Sequence, residues 1–226
     1  MNKVTIYILL ILVYLGLSKH FGSKEKGDFF LNNEQVFANY FTERPISVIL
    51  IKSFDTGFFI KTYYHQYKIV HAFKKPRFVT LRISKSFAEK NKMNLGMSLF
   101  RRSEFEESGN IIPMPPGTLF IGDLAYGNWW YINSGKKIWT FHRPYRHFYT
   151  HFGWQSFRPS YSFYQTLLTH KNQGLPFYGE NNEFGTNGSI SKNLITKNRD
   201  AQRPLSLKLK KYLYQLWKTP GELVNL

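Results

Sequence analysis

The sequence feature that most constrains the fold is an aromatic, hairpin-like pattern in the middle of the chain. Residues 128–132 and 137–142 are rich in aromatic and β-branched side chains, and Asn-Ser-Gly-Lys at 133–136 separates them. Residues of these types favour β-strands. Glycine adopts positive φ without steric cost, so a short connection that contains it suits a hairpin loop. The sequence therefore predicts an antiparallel hairpin at this point.

The second arm of the hairpin divides its side chains between two faces, because successive residues of a strand point in opposite directions. One face carries Trp139, Phe141 and Arg143, and the other carries Ile138, Thr140 and His142. Pro144 cannot donate to a strand ladder, so the strand is expected to end before it and 145–148 to form a turn or begin a helix. Five basic residues lie at or just after the end of this strand: His142, Arg143, Arg146, His147 and His151. We call them the basic rim.

The basic rim suggests binding of an anion. Arginine presents a planar fork of donors that matches phosphate and carboxylate, and aromatic rings stack on sugars and bases. The predicted ligand donors are His142, Arg143, Arg146 and His147, and the predicted stacking surface is Trp129, Trp130 and Tyr145. Neither a metal nor another cofactor is expected, because the arginines repel cations and no cysteine or adjacent carboxylate completes a ligand set. In the competing interpretation these side chains only cover aromatic surface.

The alternative function is hydrolysis of an envelope glycan, phosphodiester or ester. Histidine titrates near neutral pH, so His142 or His147 suits a general base. Asp123 or Glu183 suits the orienting group or the acid, and Glu180 lies close to Glu183 in the chain. The rim arginines then stabilise developing negative charge. The sequence contains none of the motifs GxGxxG, GxSxG, HExxH or CxxC, so whether the protein is an enzyme stays open.

The charge of the chain favours anionic partners. The 226 residues include 31 Lys and Arg against 14 Asp and Glu, which gives a formal net charge of +17. Lipid head groups, anionic polymers of a cell envelope and nucleic acid all suit that charge, and the export-like N-terminus disfavours nucleic acid. Cysteine is absent, which excludes disulfides, thiol nucleophiles and cysteine-based metal sites.

An uncharged apolar run follows Lys3. It covers residues 4–17 and spans roughly 21 Å as a helix, which is short of the roughly 30 Å hydrocarbon core of a bilayer. That length suits the core of a signal peptide slightly better than a spanning helix, and residues 16–18 offer the small side chains that signal peptidase reads. A cleaved signal peptide and an uncleaved membrane anchor both fit. Lysines also follow the run, so the orientation of an anchor is open as well.

Short strands and helices are predicted elsewhere. Residues 47–83 resemble an antiparallel meander of about four strands, and the strand candidates are 47–51, 58–64, 67–73 and 78–83. Residues 118–121 read as a short buried strand, and Ser160 is placed to cap a helix over 161–172 that ends at Gly174. Short helices are also expected at 34–41 and after a cap at Ser86. Arg101-Arg102 and the glutamates that follow are predicted to form a mixed-charge surface.

The sequence as a whole predicts an α+β protein with one β-rich domain, in which an antiparallel meander and a hairpin combine with a few helices. The expected segments are a signal peptide or membrane anchor at 1–18, a linker at 19–33, the globular domain at 34–188, a polar basic linker at 189–203 and an amphipathic helix at 204–218. The predicted location is a cell envelope, anchored in the inner membrane, periplasmic or secreted. The predicted role is binding of an anionic envelope polymer or lipid head group, with contact to the membrane through the N-terminal segment if it is not cleaved.

Overall fold

The computed structural model describes residues 3–20, 30–57 and 60–199, and the chain forms two compact units, residues 1–30 and residues 31–226. In the first unit, helix α1 (Lys3–His20) contains the apolar run, and the side chains of residues 4–14 are exposed. In the part of the chain that the structure describes, no helix combines the length and the apolar character needed to cross a bilayer. The assignment of this segment as a signal peptide or an anchor stays a prediction.

After α1 the chain has an α+β fold, and this fold class is as the sequence predicts. The fold is built on a five-stranded sheet. The strands are β1 (Phe30–Leu31), β2 (Ile46–Thr56), β3 (Thr62–His71), β4 (Arg77–Ile83) and β5 (Ser98–Arg102). Their order is β1-β4-β3-β2-β5, and the pairs β2–β3, β3–β4 and β2–β5 are antiparallel. Residues 46–51 are all buried, because a continuous apolar run places a strand where both of its faces are covered.

The meander contains one strand fewer than predicted. The sequence predicts separate strands at 58–64 and 67–73, whereas β3 runs through both without interruption. His65 and Gln66 lie in the gap between the two predicted strands, yet they are buried and paired with residues of both β2 and β4. Their backbone groups continue the ladder whatever the polarity of their side chains, so the gap in the hydrophobic pattern does not mark a turn.

The predicted hairpin is confirmed. Strands β6 (Gly127–Tyr131) and β7 (Lys137–Phe141) pair in antiparallel register, and Gly135 in the loop has a φ of 74°. Trp139 and Phe141 are buried at 0% and 1% exposure, while Ile138 and Thr140 on the opposite face are half-buried. The alternation of the two faces along β7 therefore follows the sequence pattern.

Five further helices lie within residues 30–57 and 60–199: α2 (Glu34–Tyr40), α3 (Lys85–Lys90), α4 (His147–His151), α5 (Tyr161–Gln173) and α6 (Ser189–Arg199). Helix α5 begins and ends as predicted. The Ser160 Oγ accepts a hydrogen bond from the Phe163 N–H at 3.0 Å, and Gly174 ends the helix with a φ of 70°. Helix α3 is capped two residues earlier than predicted, because the Ser84 Oγ, not that of Ser86, accepts from the Phe87 N–H.

Two other segments differ from the sequence prediction. Thr118 and Phe120 are buried, but residues 118–120 form a 3₁₀ turn instead of a strand. Residues 189–199, assigned to a polar linker, form α6, in which Ser191 and Leu194 are buried at 2% and 3% exposure. The apolar stripe of α6 is narrow, so its polar composition conceals the helix in the sequence. The amphipathic helix predicted at 204–218 lies outside the described residues.

An aromatic core lies beneath the basic rim. Phe148 of α4 is fully buried, and its ring centroid is 4.6 Å from that of Phe120 and 5.3 Å from that of Phe141 on the inner face of β7. Phe141 also stacks on the buried Trp154 at 5.6 Å. The hairpin and α4 are thus packed on the same core, which fixes the position of the rim that connects them.

Candidate functional site

The basic rim forms one continuous surface at the end of β7. The chain leaves β7, makes a 3₁₀ turn over Arg143–Tyr145 and enters α4 directly. Arg143, Arg146 and His147 are exposed, and no ion pair within residues 3–20, 30–57 and 60–199 includes either arginine. Two exposed arginines, three residues apart in the chain, are therefore available to an anionic ligand.

His142 is tied to the neighbouring loop by its backbone and its ring. Its N–H donates to the Tyr126 carbonyl oxygen at 2.9 Å, and its Nε2 lies 3.1 Å from the carbonyl oxygen of Leu124. A carbonyl oxygen only accepts hydrogen bonds, so Nε2 carries the proton in this contact and Nδ1 is left as the basic nitrogen. The ring is half-buried and is held in one orientation at the base of the rim.

His151 differs from the other imidazoles of the rim. It is half-buried, and burial, together with the positive charge of Lys68 and with His147, lowers its pKa to about 4. The buried Lys68 donates from Nζ to the His151 carbonyl oxygen at 2.8 Å and so binds the C-terminal end of α4. His151 is therefore neutral at neutral pH and adds no charge to the rim, although its ring lies 5.1 Å from that of His147.

The stacking residues predicted from the sequence do not form a single platform. Trp129 is half-buried against the rings of Trp139 and Tyr161, at 5.1 and 5.2 Å. Trp130 is 58% exposed but pairs with Ile138, near the loop end of the hairpin. Ile138 precedes His142 by roughly 13 Å of extended strand, so Trp130 lies apart from the rim.

Tyr145 is the one member of the predicted stacking surface that belongs to the rim segment. It is half-buried, its ring stacks on Phe148 at 5.7 Å, and it meets Tyr126 edge-on at 5.0 Å. Its ring thus supports the 3₁₀ turn that carries Arg143. The sequence names nine residues as donors, bases, acids or stacking groups. Five of them lie together at the rim: His142, Arg143, Tyr145, Arg146 and His147.

The acidic candidates are held in other contacts. The Asp123 Oδ1 accepts from the Ala125 N–H at 2.9 Å, and the Glu183 Oε2 accepts from the Asn181 N–H at 2.7 Å, so each closes a turn in its own loop. In the described ranges, no hydrogen bond or ion pair joins Asp123, Glu180 or Glu183 to a rim histidine. These carboxylates therefore do not form, with a rim histidine, the pair of general base and orienting carboxylate that the hydrolase hypothesis requires.

Asp123 is nevertheless a neighbour of the rim through loop 122–126. This loop supplies the two carbonyl oxygens that contact His142, at Leu124 and Tyr126. Burial, with the nearby charges of Asp123 and Glu104 and with Tyr145, raises the pKa of Tyr126 to about 12. The phenol is therefore protonated at physiological pH.

A cavity of about 240 Å³ opens on the other side of loop 122–126. Its lining includes Arg101 of β5, Gly122 and Asp123 of the loop, Glu106, and residues of α5 such as Tyr164. Gly122 has a φ of 84°, and a Cβ there would collide with the Tyr164 ring, so only glycine allows this wall. The cavity and the basic rim are thus separated by a single loop.

Arg101 is the functional candidate that the sequence analysis missed. The sequence assigns it to a mixed-charge surface, whereas it is 4% exposed at the inner end of the cavity. Met97, Leu99 and Phe100, three apolar residues within the four that precede Arg101, are the local signal that this arginine continues a buried strand. Burial lowers the pKa of Arg101 to about 9, and the charge of Glu106 opposes that shift.

A group of three or more metal-binding side chains does not occur among the residues that the structure describes. No protein-family model matches the chain, and neither a curated protein nor a solved structure is similar to it. Functional argument therefore rests on the geometry and charge of the rim and the cavity.

Proposed function

We propose that this protein binds a phosphate-bearing polymer or lipid head group of a cell envelope through Arg143 and Arg146 of the basic rim. The observation that carries the proposal is the pair of exposed arginines on one rigid turn, neither of which is in an ion pair within the described ranges. A guanidinium matches phosphate oxygens in a bidentate geometry. His147 is exposed beside them and adds a further donor.

The rim is supported from below, which favours binding over a passive role. Tyr145 and Phe148 hold the turn and α4 on the aromatic core, and Lys68 fixes the C-terminal end of α4. Donors that are already positioned lose less conformational entropy when a ligand binds. The net charge of +17 adds long-range attraction for any anionic polymer.

The proposed location is a cell envelope, on the strength of the apolar run at 4–17. Either fate of this run, cleavage after export or retention as an anchor, brings the rim to an environment that is rich in phosphodiesters and anionic lipids. Hydrolysis is the less favoured function, since the carboxylates that would orient His142 or His147 are engaged in turns of their own loops.

The test is to measure binding of the Arg143→Gln/Arg146→Gln double variant to vesicles of phosphatidylglycerol and, separately, to soluble inorganic polyphosphate. Each cation near an anionic surface contributes about 1 kcal/mol, so the double variant is expected to bind about 30-fold more weakly than the wild type. Loss on vesicles alone identifies a lipid head group, and loss on both probes identifies phosphate itself as the recognised group.

The matched control is Lys74→Gln/Lys75→Gln, which removes the same charge from an exposed loop between β3 and β4. Its binding is expected to fall by less than about threefold, because net charge acts diffusely and is screened by salt. Equal losses in the two double variants would mean that net charge alone drives binding and would overturn the proposal. Tighter binding of a single-stranded oligonucleotide than of either phosphate probe would point to nucleic acid instead.

A further inference from the structure

We propose that the cavity between β5 and α5 binds a free apolar amino acid, with its carboxylate on Arg101 and its ammonium group at Glu106 and Asp123. This site is distinct from the basic rim, and the inference does not depend on the function proposed for the rim. It rests on the charge at the inner end of the cavity, the charges at its mouth, and its size and walls.

Arg101 supplies a buried positive charge that lines the cavity. Its guanidinium donates to the Ser98 carbonyl oxygen at 2.8 Å, to the Asn110 Oδ1 at 2.8 Å and to the Ile112 carbonyl oxygen. All three acceptors are neutral, and no ion pair in the described part of the chain includes Arg101. The charge of Glu106 acts on Arg101 without forming an ion pair with it. A buried cation is costly, so a carboxylate that enters the cavity and contacts the guanidinium adds a direct counter-charge.

The guanidinium also retains donor capacity for a ligand. Arginine carries five N–H groups, and the three contacts above use three of them. The contacts hold the guanidinium in one orientation at the end of β5, where it lines the cavity. An incoming carboxylate therefore meets a fixed donor group.

The mouth of the cavity carries the opposite charge. Glu106 and the exposed Asp123 line it together with Lys171. Burial raises the pKa of Tyr164, and Tyr161 and the charge of Asp123 add to that shift. Asp123 therefore lies close to the Tyr164 phenol. With Arg101, these groups have no net formal charge, so a ligand that is neutral overall and carries one carboxylate and one ammonium group complements them.

The size and the walls of the cavity select the rest of the ligand. About 240 Å³ corresponds to roughly eight water molecules, which is close to the number of non-hydrogen atoms in one amino acid. The lining also includes five apolar residues, Met114, Leu119, Ile121, Leu167 and Leu168, together with polar groups such as Ser103 and Thr118. An aliphatic side chain that lies on these walls is removed from water, which favours binding.

The test uses L-leucine as the probe and isothermal titration calorimetry of the full chain as the measurement. We expect saturable binding of one molecule per chain. Leucinamide lacks the carboxylate, and N-acetyl-L-leucine and 4-methylpentanoate lack the ammonium group, so each is expected to bind at least tenfold more weakly. Binding of N-acetyl-L-leucine as tight as that of leucine would overturn the assignment of the mouth to an ammonium group and would indicate the carboxyl end of a peptide.

Variants connect the binding to the cavity. Substitution of Arg101 removes contacts within the fold, so the principal variant is Leu168→Trp, which fills the cavity from the half-buried face of α5 and is expected to abolish leucine binding. Asp123→Asn keeps the oxygen that accepts from Ala125 but removes the charge, so leucine binding should weaken at least tenfold while that of 4-methylpentanoate does not.

The matched control for the charge is Glu89→Gln on α3, which leaves the cavity unchanged and should leave leucine binding at the wild-type level. Thermal unfolding of every variant separates loss of the site from loss of the fold. Leucine binding by a folded Leu168→Trp variant at wild-type affinity would refute the site. Absence of leucine binding to the wild-type chain would refute it as well, without bearing on the rim.

Discussion

At the scale of single residues, the buried polar groups set how the protein responds to pH. His65 has 0% exposure within β3, its Nδ1 lies 2.9 Å from the Tyr67 hydroxyl oxygen, and its Nε2 has no hydrogen-bond partner among the described residues. Burial lowers the pKa of His65 from 6.5 to about 3. The imidazole is therefore neutral in the folded protein throughout the physiological range.

The low pKa of His65 predicts sensitivity to acid. Below pH 6.5 the unfolded chain binds a proton that the folded chain does not, so the free energy of unfolding decreases as pH falls from about 6.5 towards about 3. The limiting slope for one group is about 1.4 kcal/mol per pH unit. His65→Gln is expected to reduce the slope by about 1 kcal/mol per pH unit, as measured by urea unfolding at several pH values in this window.

The dependence of the unfolding free energy on pH should be reduced and not abolished in His65→Gln. The pKa of the half-buried His151 is also lowered, to about 4, so this histidine contributes to the dependence in the same direction. Gln165→Asn, an exchange without a titratable group at an exposed position of α5, serves as the control and should keep the wild-type dependence. A wild-type slope in His65→Gln would assign the acid sensitivity to groups other than His65.

At the scale of the elements, side-chain caps decide where helices begin. The Ser84 Oγ accepts from the Phe87 N–H at 3.1 Å at the start of α3, whereas Ser86 lies in the first turn and is exposed. A serine cap binds a backbone N–H that has no partner within the helix. The position of the cap thus distinguishes two serines that have similar sequence surroundings.

We therefore expect Ser84→Ala to lower the free energy of unfolding by about 1 kcal/mol. Ser86→Ala is expected to change it by less than about 0.5 kcal/mol, because alanine is the better helix former in the first turn. Chemical denaturation of the two variants measures the difference. The reverse order of the two effects would place the cap at Ser86, as the sequence pattern alone suggests.

At the scale of the whole molecule, positive charges outnumber negative ones, with 31 Lys and Arg against 14 Asp and Glu. Within residues 3–20, 30–57 and 60–199 the ion pairs use the carboxylates of Glu34, Glu43, Asp55 and Glu89, and all of them are at the surface. The excess positive charge is balanced by solvent ions that a polyanion displaces on binding. Association with a phosphate polymer is therefore expected to weaken steeply with salt.

The salt dependence also tests whether the rim makes direct phosphate contacts. The logarithm of the binding constant for polyphosphate should decrease linearly with the logarithm of salt concentration, and Arg143→Gln/Arg146→Gln should reduce the magnitude of that slope by about two. Titrations at several salt concentrations provide the measurement. An unchanged slope in the double variant would mean that the two arginines do not contact phosphate groups.

The amino-acid sequence by itself determined those parts of the protein that depend on local chemistry. The β6–β7 hairpin follows from alternation and a glycine in its loop, the buried strand β2 from its apolar run, and α5 from a serine cap and a terminal glycine. Each of these signals acts between residues that are close in the chain, so no knowledge of the tertiary structure is required.

Only the tertiary structure decided which side chains meet. Arg101 becomes buried because β5 pairs with β2, some fifty residues earlier in the chain, and α6 is helical because Leu194 finds a buried position. Trp130 is separated from Arg143 by the length of β7, and Asp123 lines the cavity instead of contacting His142. These outcomes depend on contacts between distant segments, which composition, periodicity and spacing do not encode, since burial is a property of the assembled core.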